Sequence, residues 1–159
     1  MEKIEITPIG VIHTPYREDK DIPIQGRFKD DVEGWIELRE EYLPALKDLD
    51  GFSHLFLIYH FHRSNQEHLQ GRPYLEKEIH GIFAIRSPHR PNHLGLSVVR
   101  LQRIEGNRVY FTEVDMLDGT PLLDIKPYVE HFDHREDVKS GWLDRHFAQG
   151  EPPGEVVIR

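Results

Sequence analysis

Cysteine is absent from the 159-residue sequence. This absence excludes disulfide scaffolds, thiol nucleophiles, zinc ribbons and iron–sulfur clusters held by thiolates. The chain also lacks an apolar signal core at its start, and it has no run approaching the roughly 20 apolar residues that span a bilayer. We therefore expect one folded domain that works in the cytoplasm and has no membrane segment.

Three widespread catalytic motifs are missing as well. The chain has no Gly-x-Gly-x-x-Gly after its first predicted strand, no Gly-Lys-Ser/Thr phosphate loop and no Gly-x-Ser-x-Gly turn. Rossmann-type cofactor binding, P-loop chemistry and the common serine-hydrolase route are therefore disfavoured.

Acidic residues are missing from one stretch of an otherwise acidic chain. The sequence has 20 Lys plus Arg against 28 Asp plus Glu, which gives a net charge of −8. Residues 79–104 contain no Asp or Glu and carry four arginines, so this stretch has a charge of +4 and the remainder −12. The balance excludes a broadly basic nucleic-acid surface and favours one local anion site, although the arginines could equally cluster by chance and pair with carboxylates.

The hydrophobic pattern is mainly that of β-strands, with alternating and β-branched apolar residues. We predict one unit, with a helical pattern only at 40–49 and a polar tail from 130 onward. Segments rich in proline or glycine are predicted as loops or strand ends at 15–29, 86–95 and 115–128. Strands are predicted at 4–12, 34–38, 55–61 and 81–85, and a hairpin from 96–104 and 109–114 around the turn at 105–108.

The loop at 86–95 is dense in hydrogen-bond donors. Arg86 and Arg90 can each offer a planar fork to a carboxylate or phosphate, while Pro88 and Pro91 hold the loop rigid. We predict pre-organised anion recognition here. The alternative is a structural loop whose arginines cap strand carbonyl groups.

Carboxylates and histidines supply two further candidates. Asp118 lies among leucines, and a partly desolvated carboxylate can serve as a general base, although Asp118-Gly119 is also a good type I′ turn. His54, His60 and His62 occupy positions of equal parity and could share one face of a strand, but His54 lies roughly 20 to 27 Å along the strand from the other two. His60 and His62 remain a possible metal-binding pair, and strand-end or pocket positions are the simpler interpretation.

A series of motifs follows in an order that resembles one family. The chain is similar to the TrmO family, whose members have a TsaA-like domain and methylate tRNA with S-adenosylmethionine. The resemblance extends from Ile4 to about Tyr128. The motifs that carry it are 9–16 (IGVIHTPY), 23–26 (PIQG), 51–55 (GFSHL), 81–84 (GIFA), 86–97 (RSPHRPNHLGLS), 118–121 (DGTP) and 124–128 (DIKPY).

The resemblance implies a mainly β fold, namely a single-sheeted β-barrel of the TsaA-like type with one or two short helices and a meandering C-terminal tail. We expect 1–132 to form the barrel domain and 133–159 to form the tail, packed on the barrel or on a partner subunit. The family also implies a homodimer with S-adenosylmethionine near its interface, a tRNA substrate and no metal. The implied reaction adds a methyl group to N6 of threonylcarbamoyladenosine beside the anticodon.

Residue roles are carried over from the resemblance. Arg86 suits the carboxylate of S-adenosylmethionine, Asp115 or backbone carbonyl groups suit its ammonium group, and Leu96 suits its adenine face. Asp118 is the candidate base, and Arg90 and Lys126 are candidates for binding substrate phosphate or carboxylate groups. The predicted cofactor-binding residues are Gln25, Gly26, Arg27, His62, Arg63, Arg86, Leu96 and Asp115.

Two other functions are compatible with the same residues. A barrel of this kind could be a non-enzymatic module that binds S-adenosylmethionine or a nucleoside-like ligand. The chain could also be a metal-dependent hydrolase that uses His60 and His62 with a carboxylate.

Overall fold

The computed structural model describes residues 1–73 and 76–148. In chain order its strands are β1 (Gly10–His13), β2 (Gly34–Leu38), β3 (His54–His60), β4 (Gln70–Gly71), β5 (His80–Gly81), β6 (Leu94–Glu105), β7 (Arg108–Thr112) and β8 (Thr120–Pro127). Six of them form a closed antiparallel barrel in the order β1-β2-β7-β6-β3-β8, and β4 pairs with β5. The α-helices in the described ranges are α1 (Glu130–Asp133) and α2 (Leu143–Ala148), and 3₁₀ helices lie at Asp19–Asp21, Gly26–Phe28, Glu40–Leu46, Leu49–Gly51, Ile82–Ala84 and Pro91–His93.

Alternate side chains of the strands fill the barrel. On β3, Leu55, Leu57 and Tyr59 point inward and are buried, whereas the residues between them are half-buried on the outside. This is the alternation expected of a strand with one face in the core. Burying each such leucine contributes about 1.5–3 kcal/mol. The other five barrel strands add Ile12, Ile36, Val99, Val109, Phe111 and Leu122 to the same core.

Several predicted elements are confirmed. The strands at 34–38 and 55–61 correspond to β2 and β3, and the predicted hairpin is β6 with β7. Glu105 pairs with Arg108 across the turn, where Gly106 has a φ of +59° that favours glycine. The mainly β barrel with a few short helices is therefore the fold that the sequence predicts.

The prediction of a loop or strand end at 115–128 is wrong for most of that segment. Residues from Thr120 onward form β8, which closes the barrel by pairing with both β1 and β3. Its prolines, Pro121 and Pro127, stand at or next to the two ends of the strand, where a missing N–H removes little of the ladder. The proline content therefore led to the prediction of a loop or strand end, although Leu122 in this segment is a fully buried strand residue.

Two further strand predictions are too long. Of 4–12, only the residues from Gly10 form strand, and Ile4 is exposed. Of 81–85, only Gly81 belongs to a strand, and a 3₁₀ turn follows. Ile82 and Ile85 are both buried while Phe83 between them is exposed, and this spacing of three fits a 3₁₀ turn instead of an alternating strand.

The segment predicted as helical at 40–49 is helical in the 3₁₀ form. Pro44 lies inside the Glu40–Leu46 helix and lacks the N–H that an α-helical bond would need. Asp48 then adopts a φ of +67° before the short 3₁₀ helix Leu49–Gly51.

The tail predicted at 133–159 is described as far as residue 148, and 149–159 lie outside the described residues. Its described part contains α2, whose neighbour Trp142 contacts the segment between β3 and β6. In the ranges 1–73 and 76–148, no helix has the length and apolar character needed to cross a bilayer.

Candidate functional site

A cleft opens at the end of the barrel where β3 ends and β8 begins. Its polar wall contains His62 and Arg63, which follow β3, and Asp115, which precedes β8. Apolar side chains complete the wall. The lining residues are Asp19, Ile22, Tyr59, Phe61, His62, Arg63, Ser64, Pro88, His89, Asp115, Met116, Leu117 and Thr120.

Asp115 is a buried carboxylate, with 6% of the residue exposed. Ser97 Oγ donates a hydrogen bond to its Oδ1 at 2.6 Å, and the backbone N–H of Gly26 donates to its Oδ2 at 3.4 Å. Because the Ser97 hydrogen goes to the carboxylate, the 2.8 Å contact between Tyr59 Oη and Ser97 Oγ has Tyr59 as its donor. These bonds hold the carboxylate in one orientation on the wall of the cleft.

Gly26 allows two backbone segments to meet beside Asp115. A Cβ added at this position would lie 1.7 Å from the backbone oxygen of Glu113, so no other residue fits without displacing the main chain. The neighbouring Gln25 Oε1 accepts a hydrogen bond from Arg86 Nη1 at 2.9 Å. Residues 25, 26, 86 and 115, which are far apart in the sequence, therefore form one connected group.

His62 lies in the same cleft. Partial burial, followed by the positive charges of Arg63 and His60, lowers the pKa of His62 below its ordinary value of 6.5. His62 is therefore neutral at physiological pH. Arg63 Nη1 donates to the backbone oxygen of Arg17 at 2.8 Å, and this bond ties the end of β3 to the loop after β1.

Asp118 lies beside the cleft, in the turn that leads into β8. Its Oδ1 accepts a hydrogen bond from the backbone N–H of Thr14 at 3.1 Å and lies 3.5 Å from His13 Nδ1. Its Oδ2 lies 3.1 Å from an Arg17 guanidinium nitrogen. The adjacent Gly119, at a φ of +82°, brings this turn against His62.

The remaining predicted residues are distributed around this group. Arg90 donates from Nη1 to the backbone oxygen of Ile85 at 2.8 Å, which is the carbonyl-capping arrangement considered as the alternative for this loop. Arg27 is exposed on the 3₁₀ helix after Gln25. Lys126 is on β8 and lies 3.3 Å from Asp124, away from the residues that line the cleft.

Leu96 is also separate from the cleft. It lies on the outer face of β6, paired with Ile58 of β3, and 57% of the residue is exposed. Leu94 and Val98 are exposed on the same face. The neighbouring Ser97 points inward to Asp115, so adjacent residues of one strand serve the two opposite faces.

The metal interpretation finds no geometric support in the described ranges. Among these residues, no group of three or more His, Asp or Glu is placed to hold a metal ion. His60 instead meets the ring of His93 edge to face, with centroids 6.2 Å apart.

Tyr59 and Ser97 are site residues that the sequence analysis missed. Both are buried polar side chains facing the barrel interior, and both support Asp115. The alternation of β3 places Tyr59 on the same face as Leu55 and Leu57, and this parity was the available signal.

Residues 11–134 match the family described as the tRNA-methyltransferase O N-terminal domain, TrmO_N. The chain belongs to this family. A Pyrococcus abyssi relative, a probable S-adenosyl-L-methionine-binding protein, is 54% identical over 138 residues, which are 87% of this chain and 75% of the relative. The mouse tRNA (adenine(37)-N6)-methyltransferase is 33% identical over 151 residues, 91% of this chain and 35% of the mouse protein.

Solved structures agree with the sequence relatives. The crystal structure of TrmO from Pseudomonas aeruginosa superposes with a TM-score of 0.76 at 36% identity, covering 89% of this chain and 63% of that chain. The chain thus spans less than two thirds of the crystallised TrmO protein. The TrmO match contains every residue that lines the cleft, whereas α2 follows it.

Proposed function

We propose that the protein is an S-adenosylmethionine-dependent methyltransferase that modifies N6 of threonylcarbamoyladenosine next to the anticodon of tRNA. The observation that carries the proposal is the TrmO-family barrel with Asp115 on the cleft wall, connected through Gly26 and Gln25 to Arg86. The mouse relative is named for methylation of tRNA adenine 37 at N6. Several relatives are named for binding S-adenosylmethionine.

The donor set suits the chemistry of this cofactor. A buried carboxylate such as Asp115 can bind an ammonium group, and the Arg86 guanidinium retains donors for a carboxylate beyond the one used by Gln25. Phe61 and Leu117 provide apolar wall for an adenosyl group. We assign Gln25, Gly26, Arg27, His62, Arg63, Arg86 and Asp115 to the cofactor site. Leu96, on the outer face of β6, is assigned to the same site as a contribution from a second copy of the chain.

S-adenosylmethionine supplies an electrophilic methyl group on a sulfonium centre. The protein then has to align the acceptor nitrogen and accept one proton. Neutral His62 adds no positive charge beside a sulfonium. We assign proton acceptance to Asp118, whose partner Arg17 is largely exposed and can move away, and we assign substrate binding to Arg90 and Lys126.

We further infer that the protein acts as a homodimer in the cytoplasm, with 1–132 as the barrel domain and 133–159 as its tail. The exposed apolar row Leu94, Leu96 and Val98 on β6 supports a second copy as its occupant, because such contiguous patches are typical of interfaces. Leu96→Asp should convert the dimer to a monomer in sedimentation analysis. A wild-type protein that sediments as a monomer at micromolar concentration contradicts the dimer.

The decisive test of activity uses labelled S-adenosylmethionine and two preparations of tRNA, one with and one without the threonylcarbamoyl group. We expect label transfer to the modified tRNA and none to the other. Binding of the cofactor without transfer to either tRNA favours the non-enzymatic binding module, which the names of the archaeal relatives also fit. Transfer to neither tRNA overturns the methyltransferase proposal.

A further inference from the structure

A second buried carboxylate, Glu76, lies outside the barrel in the segment between β3 and β6. Its side chain is 3% exposed. Oε1 accepts hydrogen bonds from the backbone N–H groups of Lys77 at 2.8 Å and Glu78 at 3.3 Å. Oε2 accepts a bond from His80 Nε2 at 3.0 Å.

Further partners of Glu76 come from α2. The Arg145 guanidinium donates to Glu76 Oε2, and His146 Nε2 lies 3.6 Å from the same oxygen. The hydrogen bond from His80, then those from Arg145 and the backbone, hold the pKa of Glu76 far below its ordinary value against the opposing effect of burial. Because a buried charge is costly when one of its partners leaves, this arrangement keeps α2 docked.

Trp142 connects the docked helix to the segment that leads into the cofactor site. Its indole Nε1 donates a hydrogen bond to the backbone oxygen of Ala84 at 2.9 Å. Its ring stacks on His80, with centroids 5.1 Å apart and planes at 15°. Ala84 ends the 3₁₀ turn that stands two residues before Arg86.

The next carbonyl group is held from the other side, since Arg90 Nη1 donates to the backbone oxygen of Ile85 at 2.8 Å. Both residues that precede Arg86 therefore have their carbonyl oxygens bound by side chains. The guanidinium at the end of this segment is in turn bound to Gln25. A continuous path of contacts runs from α2 to Arg86.

We propose that Trp142, docked through Glu76, is a positioning residue that fixes the backbone before Arg86 and so holds its guanidinium ready for the cofactor carboxylate. The inference rests on the proposed function, in which Arg86 binds that carboxylate. It extends the site to α2, which lies beyond the TrmO match at 11–134. Pre-organisation of this kind raises affinity by reducing the ordering that binding requires.

Trp142→Phe is the principal test, because it keeps an aromatic ring on His80 and removes only the N–H donor. We expect the dissociation constant of S-adenosylmethionine, measured by calorimetry, to rise about two- to tenfold, the effect of one hydrogen bond. Binding of methylthioadenosine, which lacks the carboxylate, should not change. Glu76→Gln should likewise weaken binding of S-adenosylmethionine and leave binding of methylthioadenosine unchanged. Phe147→Ala, at an exposed position on α2, should leave the affinity for both ligands unchanged.

Unchanged affinity for S-adenosylmethionine in Trp142→Phe overturns the positioning role, and so does equal weakening of both ligands. The Arg86→Ala variant distinguishes a failure of the positioning role from a failure of the proposed function. If Arg86→Ala binds S-adenosylmethionine as the wild type does, the cofactor assignment itself is wrong. If the Arg86→Ala protein binds weakly, adding Trp142→Phe should weaken it no further, and additive losses contradict the path through Arg86.

Discussion

Asp115 and Glu76 are both buried carboxylates, but their surroundings differ. Asp115 forms part of the cleft wall and accepts bonds from Ser97 and Gly26, so a ligand that enters the cleft reaches its edge. Glu76 lies between the β3–β6 segment and α2, where His80 and Arg145 bind it. Burial alone therefore does not identify a ligand site. The partners decide whether a carboxylate serves a ligand or joins two parts of the chain.

The largest effect should come from Asp115→Asn. The amide oxygen can still accept the hydrogen bond from Ser97, but the amide nitrogen cannot accept the long 3.4 Å bond from the Gly26 N–H, so the melting temperature should fall only slightly. Loss of the charge should raise the dissociation constant of S-adenosylmethionine by about 10- to 100-fold, since a hydrogen bond to a charged group is worth about 1.5–3 kcal/mol. Calorimetry measures this change.

Asp124→Asn is the matched control, because Asp124 is an exposed carboxylate on β8. It should bind the cofactor normally. Equal affinity in the two variants would mean that Asp115 has no special role in the cleft.

Glu76→Gln should weaken the docking of the tail, in addition to its smaller effect on cofactor affinity. The pKa of Glu76 is lower in the folded protein than its ordinary value of 4.5, so the ionised carboxylate stabilises the docked tail at pH values above 4.5. This stabilisation is lost progressively as the pH falls below 4.5. With Trp35→Phe leaving Trp142 as the single tryptophan, its fluorescence reports docking. The Glu76→Gln protein should resemble the acid form already at pH about 7. Identical fluorescence titrations in the two proteins would contradict this role.

His62 should give a smaller effect in the same direction, but at a pH nearer neutrality. Its pKa is lowered in the folded protein, so below the ordinary value of 6.5 the unfolded chain binds a proton that the folded chain resists. Stability should therefore decrease as pH falls below 6.5. Cofactor affinity should decrease too once His62 becomes charged. His62→Asn should remove both dependences, and a variant that retains them would show that another group is responsible.

The two carboxylate regions also differ in how well the sequence predicts them. The strands β2 and β3 were predictable because their side chains alternate, and the resemblance to the TrmO family implied the barrel. Arg86, Gln25 and Gly26 were candidates for the site because they fall in motifs of that family. The strand β8 was missed since Pro121 and Pro127 gave it the composition of a loop. The successful predictions rested on local sequence patterns and motifs and not on contacts between distant residues.

The region around Glu76 gave no such signal. Its partner Arg145 is 69 residues away in the sequence, and no periodicity relates the two. The predicted group at the cofactor site was also incomplete. The alternation of β3 indicates that Tyr59 faces the interior, but the hydrogen bonds from Tyr59 to Ser97 and from Ser97 to Asp115 exist only in the closed barrel. Side chains that bind each other only through tertiary contacts cannot be identified from their spacing in the sequence.

The smallest effect on the fold, and a direct test of substrate binding, should come from Lys126. It forms an exposed ion pair with Asp124 at 3.3 Å, with side chains 63% and 45% exposed, and such surface pairs contribute little to stability. Lys126→Ala should therefore leave folding and cofactor binding unchanged. If Lys126 contacts a phosphate, the variant should bind tRNA more weakly and lower the slope of affinity against salt by about one. Asp124→Ala frees the lysine and should strengthen tRNA binding, so a salt dependence that is the same in both variants and the wild type would remove Lys126 from the substrate site.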